Sequence, residues 1–246
     1  MGIRIAAAQA PSVAGDLAAN LATHLRFIAA ARAEGVQLLV FPELSLCGYE
    51  LPLLRQCALT PDDARLAPLR TAGMTVIVGA PVLDAGAARP CIASISLTAD
   101  GGTTVYRKQY LHAGEEAYAQ PGPAGAHAHA LHGQRYVEAI CADTNHAAHA
   151  RAAADAGASL YVAGVLISEG GYAKDAAALR GYAETHHMGV LMANHATPSG
   201  GYASAGKSAF WAPGGALLAQ APGPGDYLVI ADSADRWQGR VAAVAA

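Results

Sequence analysis

Short, nearly unbroken apolar runs alternate with longer amphipathic stretches along the whole chain. "IRIAAAQ" (3–9) and "VQLLVF" (36–41) are continuous enough for strands covered on both faces; a strand wetted on one side would alternate. Between them, "DLAANLATHLRFIAAARAEG" (16–35) reads as a helix, with Asp16 placed to cap its first turn and Gly35 to end its last. The same reasoning predicts a helix over 61–72 and a strand over 74–81. "CIASISLT" and "TTVYRK" flank "ADGG", which makes them a hairpin by turn chemistry. A strand over 136–141, a helix over 145–156 and a strand over 158–164 follow, and a helix over 173–187 leads into a strand over 189–195. Strands over 205–213, 215–220 and 226–232 close the chain. Strands, helices and hairpins in this order predict a layered α/β fold with mixed sheets, and the simplest organisation is one domain, 1–246. An internal echo, "ARAEGVQLLVF" against "AADAGASLYVA", suggests two similar halves, although any α/β chain repeats helix, glycine, strand.

Composition narrows the class. Charged residues are 14% of the chain, against roughly 25% in ordinary globular proteins. With 53% hydrophobic residues and many Gly and Pro, the chain is too apolar for disorder and too interrupted for a coiled coil. So few charges predict surface hidden in a homodimer or a higher homo-oligomer. A net charge of −3 offers no footprint for nucleic acid or for an anionic membrane. No apolar run is long enough to span a bilayer, the N-terminal run is too short for a signal peptide, and Ala6 spoils a myristoylation pattern. Four cysteines without a CxxC pair predict a reducing compartment, hence the cytoplasm.

Chemistry gathers at three strand exits. Glu43 follows "LLVF" with Pro42 fixing the turn, Lys108 ends a hairpin strand, and Cys141 ends the apolar run "YVEAIC". Strand ends are where α/β sheets place ligands. Taken singly, a Glu or Lys there is usually a solvated loop residue, and a free Cys is more often core than nucleophile. Taken together, they could supply a thiol nucleophile, a carboxylate base and an ammonium to hold an oxyanion, which is acyl-transfer chemistry without a metal.

These segments carry a resemblance that extends from end to end. "IAAAQAP…GDLAAN", "VFPELSLCGYE", "YRKQYLHAGEEAYAQPG", "ICADTNHAAHARAAADAGA", "VLMANHA" and "GKSAFWAPGG" are similar, in order and spacing, to the nitrilase superfamily of carbon–nitrogen hydrolases. The resemblance implies a four-layer αββα sandwich whose copies pair as an eight-layered dimer. It places Glu43 as general base, Lys108 as oxyanion stabiliser, Cys141 as nucleophile and Glu115 as the second carboxylate orienting Lys108, with the Ala142 N–H completing the oxyanion hole. It implies no cofactor and no metal. Expected substrates are small amides, carbamoyl compounds or nitriles together with water, with amide hydrolysis favoured and thiol-based acyl transfer open. Tyr49, Ala142, Asp143, Asn145 and Val165 are the expected pocket residues. The chain departs from its relatives where Ala142 replaces a frequent aromatic and "NHAAH" an aromatic–Pro–Glu stretch. Thr185, with Glu184 one place off, occupies a position often held by Glu.

Other readings compete. His127 and His129 would share one face of a strand and could start a metal site, with His132 nearby, although a histidine-rich surface strand explains them as well. Cys141 could pair instead with His146 or His195, oriented by Asn145 or Asn194. A binding protein that keeps the fold without catalysis is a third possibility. The "GKS" at 206–208 lacks the upstream glycine of a phosphate loop. A Cys141 nucleophile is expected to form its thiolate near neutral pH, leaving Cys47, Cys57 and Cys91 as ordinary thiols.

Overall fold

The first strand, β1 (Arg4–Gln9), faces two separate cores: Ile5 and Ala7 contribute to one apolar cluster, Ala6 and Ala8 to another. Such alternation requires cover on both sides, as its unbroken apolar run suggests. The computed structural model, which describes residues 2–245, provides that cover with a second sheet on one side and helices on the other. Helix α1 (Leu17–Ala33) starts where Asp16 Oδ1 accepts the Ala19 N–H at 3.0 Å and stops at Gly35, whose φ is 67°.

The chain continues through β2 (Leu38–Val40), α2 (Ala67–Arg70), β3 (Thr75–Val82), β4 (Cys91–Leu97) and β5 (Thr103–Arg107). Then come β6 (His129–Leu131), β7 (Gln134–Ile140), α3 (Ala147–Asp155), β8 (Leu160–Val165), α4 (Glu169–His186) and β9 (Gly189–Asn194). The hairpins β10 (Ala209–Trp211) with β11 (Leu217–Gln220) and β12 (Tyr227–Asp232) with β13 (Gln238–Ala243) finish it. One sheet has the order β13-β12-β1-β2-β3-β4-β5 and the other β11-β10-β9-β8-β7-β6. Each has a parallel centre, β1-β2-β3 or β7-β8-β9, with antiparallel strands outside it.

Three apolar layers separate the four structural ones. Phe27 and Ile28 of α1, with Leu66 and Leu69, pack against Ala6, Leu39, Val76 and Val78. Ile5, Val40 and Ile77 meet Leu160, Val162, Leu191 and Phe210 between the sheets. Ala150, Ala153, Leu179 and Ala183 of α3 and α4 cover Tyr161, Ala163 and Met192. This is the αββα sandwich, and the echo between halves appears in it as α1 and α3, each ending on a left-handed glycine (Gly35, Gly157).

Several expected elements shift. The helix expected over 61–72 is a 3-10 turn (Ala64–Leu66) followed by the single-turn α2, because Pro68 lacks the N–H a continuous helix needs but suits a first turn. Helix α4 begins at Glu169, earlier than 173, and takes Gly170 and Gly171 into its first turn. Expected strand 205–213 contracts to β10, since Gly206 and Lys207 are left-handed. Strands β6 and β13 give little apolar signal because most of their residues are at least partly exposed. No helix is long and apolar enough to cross a membrane among the described residues.

Candidate active site

Glu43 sits just beyond β2, on a turn held between the two sheets. A Cβ on Gly79 of β3 would come within 2.3 Å of Leu44 N, and one on Gly164 of β8 within 2.6 Å of Phe41 O. Only glycine lets this turn pass. Lys108 follows β5 directly, its N–H bonded to Ile92 O at 2.8 Å. Cys141 follows β7 in a left-handed conformation (φ 41°) and opens a 3-10 turn, Cys141–Asn145. Glu115 opens another, Glu115–Ala117, after the left-handed Gly114.

These turns assemble a buried ion cluster. Lys108 Nζ donates to Glu43 Oε1 at 2.6 Å and to Glu115 Oε1 at 2.7 Å, and the three side chains are fully shielded from solvent. Glu115 is fixed by the Tyr49 hydroxyl, which donates to Oε1 at 2.6 Å, and by the His112 N–H, which donates to Oε2 at 2.8 Å. Glu43 Oε2 makes no hydrogen bond among the described residues; the nearby Cys141 thiol, which donates to the Leu166 carbonyl at 3.7 Å, favours the ionised form of Glu43.

Burial dominates the acidities. It raises Glu43 to about 7, helped by the Glu115 charge and opposed by Lys108. Burial alone would lower Lys108, but Glu43, Cys141 and Glu115 together hold it above its ordinary range. Burial and then Glu43 push the Cys141 thiol well up, against the pull of Lys108. Burial thus disfavours the thiolate at Cys141 and brings Glu43 into the range where it can take the thiol proton. The thiolate expected near neutral pH therefore depends on proton transfer to Glu43.

A cavity of about 270 Å³ opens over Cys141, lined by Tyr49, Ala142 and Asn145 as expected. His112, Leu166, Ser168, Lys174, Asp175 and Tyr202 line it too, although no sequence signal singled them out. Two expected pocket residues are elsewhere. Val165 shares the outer face of β8 with Tyr161 and Ala163 and packs under the helices. Asp143 is buried and turned back, accepting the N–H groups of Gln109 (3.1 Å), Tyr110 (2.9 Å) and Ile140 (3.0 Å) and the Tyr106 hydroxyl (2.7 Å). Its short side chain caps the nucleophile turn instead of facing substrate. A cavity of about 330 Å³ on the β12–β13 hairpin contains none of these residues, and its charges are partly spent on each other, as in Arg4 with Asp232 at 2.5 Å.

The competing histidines are engaged otherwise. His195 Nε2 donates to the Glu43 carbonyl at 2.7 Å, and burial lowers its pKa to about 4. Asn194 is committed to the backbone of Ile167 and Gly206. His146 stacks on Tyr110 with ring centres 3.8 Å apart. His129 Nε2 lies 3.8 Å from Glu138, and among the described residues no three His, Cys, Asp or Glu side chains gather as a metal set. Glu138, unremarked in an apolar run, is buried between the sheets under Ser94 and Ser96. Nor are all the other thiols alike: the Cys47 thiol donates to the Gly48 carbonyl at 3.2 Å, and its closeness to partly buried Cys57 lowers Cys57 to about 7 and raises Cys47.

The amidase from Nesterenkonia sp. AN1, as a cysteine-to-alanine mutant in complex with butyramide, superposes with a TM-score of 0.86 at 25% identity, covering 94% of this chain and 90% of that one. A glutamate-to-glutamine mutant of the same amidase, which carries acrylamide added at its active-site cysteine, gives a TM-score of 0.85 at 25% identity over 93% of this chain and 92% of that one. Both are amidases of the nitrilase superfamily. The carbon–nitrogen hydrolase family model matches residues 4–238, and the chain belongs to that family of enzymes.

Proposed function

We propose that the protein hydrolyses the carbon–nitrogen bond of a small, non-peptide amide or carbamoyl compound through an acyl-enzyme on Cys141. The observation that carries this reading is the buried Glu43–Lys108–Glu115 cluster with one carboxylate oxygen left unbonded beside the thiol. Cys141 Sγ attacks the carbonyl carbon while Glu43 takes the thiol proton, so the thiolate need not exist at rest. Lys108 spends two of its three N–H donors on the carboxylates and keeps one for the oxyanion. The Ala142 N–H, in the first turn of a 3-10 helix, is placed to give a second. Glu43 returns the proton to the departing nitrogen, the C–N bond breaks, and a thioester remains. Water, deprotonated by Glu43, then releases the acid.

The amide bound to the Nesterenkonia amidase supports amides as the substrate class. The test is a panel of amides, N-carbamoyl amines and nitriles, followed by ammonia release and by the intact mass of the trapped acyl-enzyme. Turnover of nitriles alone, or an acyl group on another cysteine, would overturn the reading. The low charge content supports association of copies as part of the same proposal, and sedimentation of the purified protein as a monomer would remove it.

A further inference from the structure

Behind the nucleophile turn, a second buried polar assembly plays no part in the chemistry just described. Tyr106 of β5 donates to Asp143 Oδ2 at 2.7 Å, and its oxygen lies 2.8 Å from His149 Nε2 on α3. His149 Nδ1 in turn lies 2.8 Å from the Tyr161 hydroxyl of β8. His149 is only 3% exposed and Tyr161 is fully buried. A hydroxyl has one proton, and Tyr106 gives it to Asp143, so towards His149 its oxygen can only accept, as it also does from Gln109 Nε2 at 3.3 Å. Nε2 must therefore carry hydrogen and Nδ1 a lone pair, which the Tyr161 hydroxyl fills. The row runs one way, Tyr161 to His149 to Tyr106 to Asp143, with every donor used. A buried row of this kind is firm when complete and unstable when one member is lost.

Its terminus matters most. Asp143 holds the Ile140 N–H, immediately before Cys141, with one oxygen, and the Gln109 and Tyr110 N–H groups, immediately after Lys108, with the other. One carboxylate thus ties the nucleophile turn to the segment bearing the ammonium. We propose that His149 is a positioning residue: through Tyr106 and Asp143 it fixes the Cys141 turn against the Lys108 segment. Misplacement of reacting groups by fractions of an ångström slows the chemical step far more than it weakens binding.

The test uses His149→Leu, Tyr106→Phe, their double variant and His149→Gln, which keeps an N–H donor. The assays are hydrolysis of a small primary amide, and peptide-resolved labelling of Cys141 by chloroacetamide well below each variant's melting temperature. Either single variant should lower kcat by about tenfold with KM within about twofold, and should slow Cys141 labelling in parallel. The double variant should be no worse than the singles, because both break the same row, and His149→Gln should recover most of the loss. Wild-type kcat in both folded singles, a loss confined to KM, or losses that multiply in the double variant would overturn the proposal. If His149→Leu does not fold, Tyr106→Phe, which removes one oxygen, decides alone. Labelling does not depend on the substrate, so a wild-type Cys141 that resists chloroacetamide would count against the acyl-enzyme, whereas slower labelling only in the variants supports the positioning row.

Discussion

Two glutamates lie in the space between the sheets, and burial raises both to about 7. Glu43 meets a buried ammonium and keeps one oxygen unbonded. Glu138 meets no ammonium or guanidinium among the described residues, and His129 stands off at 3.8 Å; Ser94 and Ser96 of the opposite sheet bond its two oxygens, Ser96 at 2.6 Å. The same desolvation therefore leads to two outcomes. A carboxyl whose two oxygens are already occupied by serine hydroxyls has no free atom with which to exchange a proton, and it joins the sheets. A carboxylate that has a counter-charge and a spare oxygen is ready to exchange a proton with a neighbour. A raised pKa alone does not mark a reacting group; the unsatisfied atom does.

The sharpest way to break this comparison is to exchange the roles. Glu43→Gln and Cys141→Ala should each reduce turnover by at least about a thousandfold, as removal of a base or covalent nucleophile does, while Glu138→Gln should stay within a few-fold. Steady-state ammonia release decides it, and a Glu138→Gln variant as inactive as Glu43→Gln would erase the distinction. Next, Lys108→Met leaves Glu43 and Glu115 facing each other without compensation. Turnover should vanish and stability fall by about 1–3 kcal/mol in denaturant titration, because a buried charge loses its partner. Unchanged stability would mean that the cluster is solvated.

A smaller effect follows from pH. Glu138 has a folded pKa above its unfolded one, so the folded state holds the extra proton between about 4.5 and 7. Its contribution is full below that window and is lost as pH rises through it. Glu138→Gln should remove part of that slope, narrowing the stability difference between acidic and mildly alkaline buffer by on the order of 2 kcal/mol. An unchanged slope would place the titration elsewhere. The smallest effect separates the thiols. Because the nearby Cys47 thiol lowers partly buried Cys57, chloroacetamide at neutral pH should label Cys57 as well as Cys141. Cys57→Ser should abolish that second label yet keep activity within about twofold, a prediction that peptide mapping checks.

How much of this was legible in the sequence depends on how far each side chain is from a strand end. Glu43, Lys108 and Cys141 lie within three residues of one, so the sheets set their position and the apolar runs reveal it. Glu115 and Tyr49 came from the resemblance and from proximity, and the fold joins them by a hydrogen bond. Asp143 misled because a polar residue after a cysteine looks like a pocket residue, whereas a tight turn folds it backwards. Val165 could have been placed by parity, since Tyr161, Ala163 and Val165 share a face. Lys174 and Asp175 could not be read at all: the cavity selects them by the way α4 crosses the second sheet, a tertiary relation without a local signal. The start of α4 was missed because two glycines usually mark a break.

The left-handed backbone at Cys141 has a consequence of another kind. For any residue with a Cβ that conformation is disfavoured by roughly 1–2 kcal/mol, and alanine inherits the penalty while glycine escapes it. Cys141→Gly should therefore melt later than Cys141→Ala, by a few degrees, and at least as late as the wild type. The hydrolase would then be hardier without its nucleophile than with it. The backbone strain at this position is thus a cost that the fold bears for the sake of the reaction, and glycine would remove it together with turnover.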